Sequence, residues 1–122
     1  MKKIFTATLL LTIFSISCTT ENKNAPLIIG NWQAVQWLEA GKTSTHNVAA
    51  TSFSFDDKAA YSFTYEGTVE KGTYKVDNTS LYTTADKKQE IMVKIVKLTA
   101  DSLTFDMNNG GQAETIVLVK KK

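Results

Sequence analysis

The chain has 122 residues, with 14 lysines and no arginine against 12 acids, one histidine and one cysteine, for a formal net charge of +2. That length holds one small domain with a continuous core, and a single cysteine excludes an internal disulfide framework. Arginine makes the commonest specific base contact and the bidentate phosphate grip, so its absence argues against nucleic acid as a partner.

In chain order, Met1-Lys2-Lys3 is a short positive segment, and Ile4 to Ile16 is apolar apart from Thr6, Thr8, Thr12 and Ser15. A charged start followed by a short apolar run is the layout of a secretion signal, expected over residues 1–17. The run is too short for a permanent membrane helix, which takes about 20 apolar residues. Cys18 closes it, and "SISC" resembles the lipobox of bacterial lipoproteins, whose cysteine becomes the first mature residue and carries diacylglycerol and an amide-linked acyl chain. Ile16 and Ser17 fit that pattern, while its usual leucine is Ser15 here. Each buried methylene contributes about 0.8 kcal/mol, so several acyl chains anchor firmly where one holds only reversibly. Thr19–Pro26 is polar and aperiodic, which makes residues 18–26 the lipidated cysteine and its tether and 27–122 the folded domain. Lys2 and Lys3 leave with the signal, and the mature chain is then neutral. As a nucleophile Cys18 would need a base, and nothing ties it to the lone His46.

From Leu27 the hydrophobic pattern has period two, punctuated by turn residues. Strands are expected over Gly30–Leu38, Ser52–Phe55, Tyr61–Tyr65, Val69–Val76, Ser80–Thr84, Glu90–Leu98, Leu103–Met107 and Ala113–Val119. Phe53 and Phe55 share one face of their strand, as do Tyr61, Phe63 and Tyr65 of the next. In "EIMVKIVKL" the apolar phase changes, which places a bulge near Ile95–Val96. Simple alternation puts Trp37 on the opposite face from Trp32, where it is a surface contact or packs beneath the next loop. Short connections favour sequential antiparallel neighbours. Eight such strands bury their aromatic face by closing into an up-and-down barrel, with a two-sheet sandwich as the alternative.

"IIGNW", "GTYKVDNTSLYTT" and "IVKLTADSLTF" carry a further signal, through Gly30, Trp32, Gly72, Tyr74, Leu81, Leu98 and Leu103. They resemble the lipocalin-like domain of small secreted or lipid-anchored proteins of Bacteroidetes. The resemblance implies an eight-stranded barrel, with Trp32 packed across its closed end, and a small hydrophobic ligand. The chain departs from large lipocalins in lacking a T-D-Y motif and any arginine on the last strand. Lys120 is the residue left there to cap the Trp32 ring.

An enzyme is not expected. The acids are scattered, no pair suggests a carboxylate dyad, and no Cys/His cluster offers metal ligands. His46 reads as a loop histidine, and no cofactor or metal is expected. If a ligand cavity exists, its wall is Phe53, Phe55, Tyr61, Phe63, Tyr65, Tyr74 and Phe105. The alternative is that such bulk fills the barrel, although three tyrosine hydroxyls inside would each need a partner. A cavity of about 300 Å³ or more would favour a ligand, and a filled core with Trp37 exposed would favour an envelope protein as partner. The expected partners are thus the bilayer, through acylated Cys18, and a small hydrophobic ligand or envelope protein. The expected location is a bacterial cell envelope, lipid-anchored, with the outer membrane favoured. Mass spectrometry of membrane-extracted protein should find a first residue of Cys18 carrying acyl chains, and an unmodified N-terminus elsewhere would refute this.

Overall fold

The computed structural model describes residues 24–121. The expected signal and Cys18 lie outside the described residues. Nine strands form one antiparallel sheet: β1 (Gly30–Glu39), β2 (Lys42–Thr43), β3 (Thr51–Phe55), β4 (Ala60–Tyr65), β5 (Thr68–Asp77), β6 (Ser80–Ala85), β7 (Glu90–Leu98), β8 (Ser102–Asn109) and β9 (Gln112–Lys120). Each of β3 to β8 pairs with the next in order, β1 pairs with β3, and β1 also pairs with β9. The sheet therefore closes on itself as an eight-stranded barrel, with the two-residue β2 as a flap on the end of β1. Closure removes the free edges that a sandwich would leave. A five-residue helix, α1 (Asn24–Ile28), takes up the end of the expected tether, and a single 3-10 turn, Val48–Ala50, sits in the loop before β3.

Two bulges set the register. Between β7 and β8 the pairing jumps from Ile95↔Phe105 to Lys97↔Thr104, so Val96 is the extra residue, as the change of apolar phase indicates. Between β1 and β9 it jumps from Ala34↔Leu118 to Gln36↔Val117, leaving Val35 over. Val35 is 50% exposed. A bulge inserts one residue and reverses the alternation beyond it. Trp32, Ala34 and Trp37 therefore all face inward, and Trp37 is only 9% exposed. This corrects the expectation that Trp37 faces away from Trp32 as an exposed contact, while the alternative of packing beneath the following loop agrees with His46 of that loop stacked on its ring.

At one end of the barrel α1 packs against β5 and β7. The last carbonyls of a helix have no partner within it, and that of Ile28 accepts the indole N–H of Trp32 at 2.8 Å. Both residues are fully buried, so each satisfies a polar group of the other. The Lys120 ammonium stands 5.3 Å from the centre of the Trp32 ring, within cation–π range. Gly30 leaves room for the lysine stem, since a Cβ there would fall 2.6 Å from Lys120 Cε. Gly72 has a different task, allowing β5 and β6 to approach so closely that a Cβ would lie 2.0 Å from the Thr84 carbonyl oxygen.

Trp32→Ala should cost about 3–5 kcal/mol, the usual range for a buried tryptophan, and a loss below about 1 kcal/mol in urea unfolding would disprove the plug. Gly72→Ala should cost about 3 kcal/mol, because its obstruction is backbone that cannot rotate away. A variant as stable as the parent in the same assay would contradict this close approach.

Candidate functional site

The aromatic side chains of β3 and β4 meet as cross-strand pairs, Phe53↔Phe63 and Phe55↔Tyr61. The Phe53 and Phe63 rings stack at 4.6 Å, and Phe105 meets Phe53 edge-on from across the barrel at 5.3 Å. Toward the closed end the interior is solid. Phe55 is 1% exposed and packs its ring against Tyr74 at 5.0 Å. Toward the other end it is not. A cavity of about 260 Å³ lies among Trp37, Phe53, Tyr61, Phe63, Phe105 and Ile116, with Glu70, Thr83, Asn109 and Glu114 as polar wall. It is open to solvent and falls below the 300 Å³ expected of a ligand site. A wider recess at the rim, lined by Tyr65, Thr68, Lys71, Asp86 and Lys88, shares Phe63 and Glu70 with it.

The loop between β2 and β3 folds over this mouth. The Gln33 amide holds it from β1, donating to the carbonyls of Val48 at 2.8 Å and Thr51 at 3.0 Å. The imidazole of His46 stacks on Trp37 with ring centres 4.0 Å apart. Its Nε2 is 2.9 Å from Glu39 Oε1, and its Nδ1 is 3.1 Å from the Tyr65 hydroxyl. His46 is thus part of the rim rather than a free loop residue.

Glu114 is the other unexpected member. The β1–β9 register sets Glu39 directly opposite Glu114, an arrangement of like charges that disfavours the pairing. Glu114 is 3% exposed. One of its carboxylate oxygens, Oε2, and the indole Nε1 of Trp37 are buried with no hydrogen-bond partner. Glu39, His46 and Glu114 each present a ligand atom within 4.8 Å of the others, a set with the donor types of a metal site. The acids expected to be scattered thus include one pair, half-buried Glu39 and buried Glu114, that the β1–β9 pairing brings together. One signal was available: Glu114 lies in phase with the inward-facing Ile116 and Leu118 of β9. Glu39 and His46 gave none, because a bulge and a loop bring them there.

Of the seven aromatic residues expected to form a cavity wall, Phe53, Tyr61, Phe63 and Phe105 line it. Phe55 and Tyr74 lie deeper, in the packed end, and Tyr65 stands at the rim. Each of the three tyrosine hydroxyls finds a protein partner. Tyr65 has His46, Tyr74 donates to the Asp56 carbonyl, and Tyr61 has the Thr83 side chain.

Burial raises the Tyr61 phenol above its ordinary value; Glu70 raises it further, the Thr83 hydrogen bond opposes the shift and Asp86 adds a little. Tyr74 is raised likewise, by burial first and then by Asp56 and Asp57. A phenol that stays protonated longer in the folded state stabilises it below the unfolded pKa of about 10 and loses that contribution as pH rises past it. In an alkaline titration followed by tyrosinate absorbance, Tyr61→Phe and Tyr74→Phe should each remove a late-ionising phenol. Urea stability should fall above about pH 10, and four phenols ionising together would contradict this.

Comparison with known proteins follows this geometry. Two solved structures share the fold. One, a lipocalin-like protein from Bacteroides uniformis ATCC 8492, superposes with a TM-score of 0.61 at 18% identity, over 77% of this chain and 98% of that one. The other, an uncharacterized protein from Bacteroides eggerthii DSM 20697, gives 0.62 at 15% identity, over 77% and 99%. At these identities the likeness is one of fold. No curated protein matches the chain. The sequence profile of the lipocalin-like domain matches residues 28–105, from the buried Ile28 through Trp32 and the aromatic strands to Phe105, and the chain belongs to that family.

Proposed function

We propose that this protein is a lipid-anchored, non-catalytic carrier that holds one small hydrophobic molecule in the mouth of its barrel. The observation that carries the reading is the apolar-walled cavity among Phe53, Phe63 and Phe105, left open at the end opposite the Trp32 plug; its volume of about 260 Å³, below the expected 300 Å³, restricts it to a compact ligand. Eight-stranded barrels range from filled interiors to ones that hold a single small ligand. This one is filled at one end and hollow at the other. Family membership supports the same reading, since the lipocalin-like fold is in general a binding scaffold rather than a catalytic one. The fold shared with proteins of two Bacteroides species supports a place outside the cytoplasm.

The anchor is proposed on Cys18 and the signal before it. From Cys18 to α1 is six residues, a reach of about 20 Å at most. The tether thus joins the barrel at its plugged end, so the shortest path to a bilayer leaves the mouth facing away from the lipid. The competing reading, an envelope module that contacts a protein through an exposed Trp37, loses its contact residue to burial.

Native mass spectrometry of protein taken from its own host should reveal a non-covalent small molecule that is lost on denaturation. The carrier reading predicts that Phe63→Trp, which fills the cavity from its wall, abolishes this adduct. An adduct-free native protein would defeat it.

A further inference from the structure

Among the carboxylates at the mouth of the barrel, Glu39 and Glu70 have a basic partner. Glu39 has His46 at 2.9 Å. Glu70 has the Lys88 ammonium at 3.6 Å. Glu114, 3% exposed, has one oxygen, Oε2, buried without a hydrogen-bond partner, and none of the residues lining the cavity is a lysine. A buried carboxylate without donors is costly, and folded proteins pair such charges or hydrogen-bond them fully. Glu114 is placed on the inward face by the same alternation that buries Ile116 and Leu118. A second wall residue repeats the pattern, for the Trp37 indole N–H is also buried without an acceptor. The cavity is therefore apolar in most of its wall and unsatisfied at two fixed points.

Resting on the carrier reading, we propose that the molecule held there carries a protonated amine, received by Glu114, on a compact apolar body that packs against Phe53, Phe63 and Phe105. A neutral hydrocarbon would leave the carboxylate as it is. A fatty acid would bring a third negative charge beside Glu39 and Glu114, which the β1–β9 register already sets opposite each other. An ammonium group supplies the charge-assisted donor that the carboxylate lacks. The Trp37 N–H marks a place for an oxygen on the same ligand. A metal ion between Glu39, His46 and Glu114 is the rival occupant, but it would leave both the apolar cavity and the Trp37 N–H without a role.

The test titrates the full chain in lipid nanodiscs with hexylamine, 1-hexanol and hexanoate. Binding is read from the Trp37 indole N–H resonance, identified by its loss in Trp37→Phe. Hexylamine should bind about tenfold or more tighter than 1-hexanol, with hexanoate the weakest. Glu114→Gln should bring the amine to the level of the alcohol, and Glu114→Leu serves if the amide variant does not fold. Equal binding of all three compounds, or an amine preference that survives the loss of Glu114, would overturn the inference and leave the carrier reading standing. Failure of every compound to bind would overturn both. A shift of the same resonance by zinc ion alone, abolished in His46→Gln, would assign Glu114 to a metal and overturn the amine.

Discussion

The first and last strands meet around one extra residue, Val35, and that bulge governs the contents of both ends of the barrel. Before it, β1 points Trp32 into the plugged end. After it, the reversed alternation points Trp37 into the mouth instead of toward solvent. The same shift sets Glu39 opposite Glu114. Without the bulge the barrel could close, but Trp37 would lie outside and the mouth would lose its wall, its platform for His46 and its paired carboxylates. A single insertion thus separates a packed floor from a polar-rimmed opening.

The two ends follow different physical rules. At the floor the buried indole N–H of Trp32 is answered by the free carbonyl of Ile28 and its ring face by Lys120, while the half-buried Tyr74 donates its phenol to the Asp56 carbonyl. Aromatic rings fill the space between with stacked and edge-on contacts, which contribute beyond the area they bury. At the mouth the packing stops short, and polar atoms stand buried and unmatched. Proteins satisfy nearly all such groups. Among the described residues the two buried side-chain atoms without a partner both lie in this cavity, which gives the mouth its character as a site, with its supporting shell of Gln33, Tyr65 and His46 held by hydrogen bonds from β1 and β4.

This division suits the binding role proposed above, on a lipocalin-like fold that is generally non-catalytic. The strands carrying the wall are braced on both sides by the closed sheet, so the pocket is largely preformed and the cost of ordering it falls on folding rather than on binding. Selectivity would then come from a few fixed polar points in an apolar wall, the usual division of labour in small-molecule sites.

Much of the barrel was legible in the sequence. Strict alternation in "TSFSF" and "YSFTY", turn residues at short intervals and the phase change at Ile95–Val96 determine strands, faces and one bulge, because side chains reverse face at every residue. The G-x-W stretch and the aromatic bulk of β3 and β4 also point to a plugged barrel with an aromatic interior. The mouth was not legible in the same way. At Val35 a similar change of phase, from Trp32 and Ala34 to Val35 and Trp37, is too short to mark a bulge by itself; the register against β9 makes Val35 the extra residue and turns Trp37 inward. His46 reaches Glu39, Tyr65 and Trp37 through a loop whose path is fixed by Gln33, fifteen residues before Val48. The emptiness of the cavity is decided later still, since it depends on how far rings from β3, β4 and β8 reach across a closed sheet. The sequence by itself determined the period, and hence the strands and their core. Tertiary structure alone decided where alternation slips and which distant charges meet, because both are set by pairing between opposite ends of the chain.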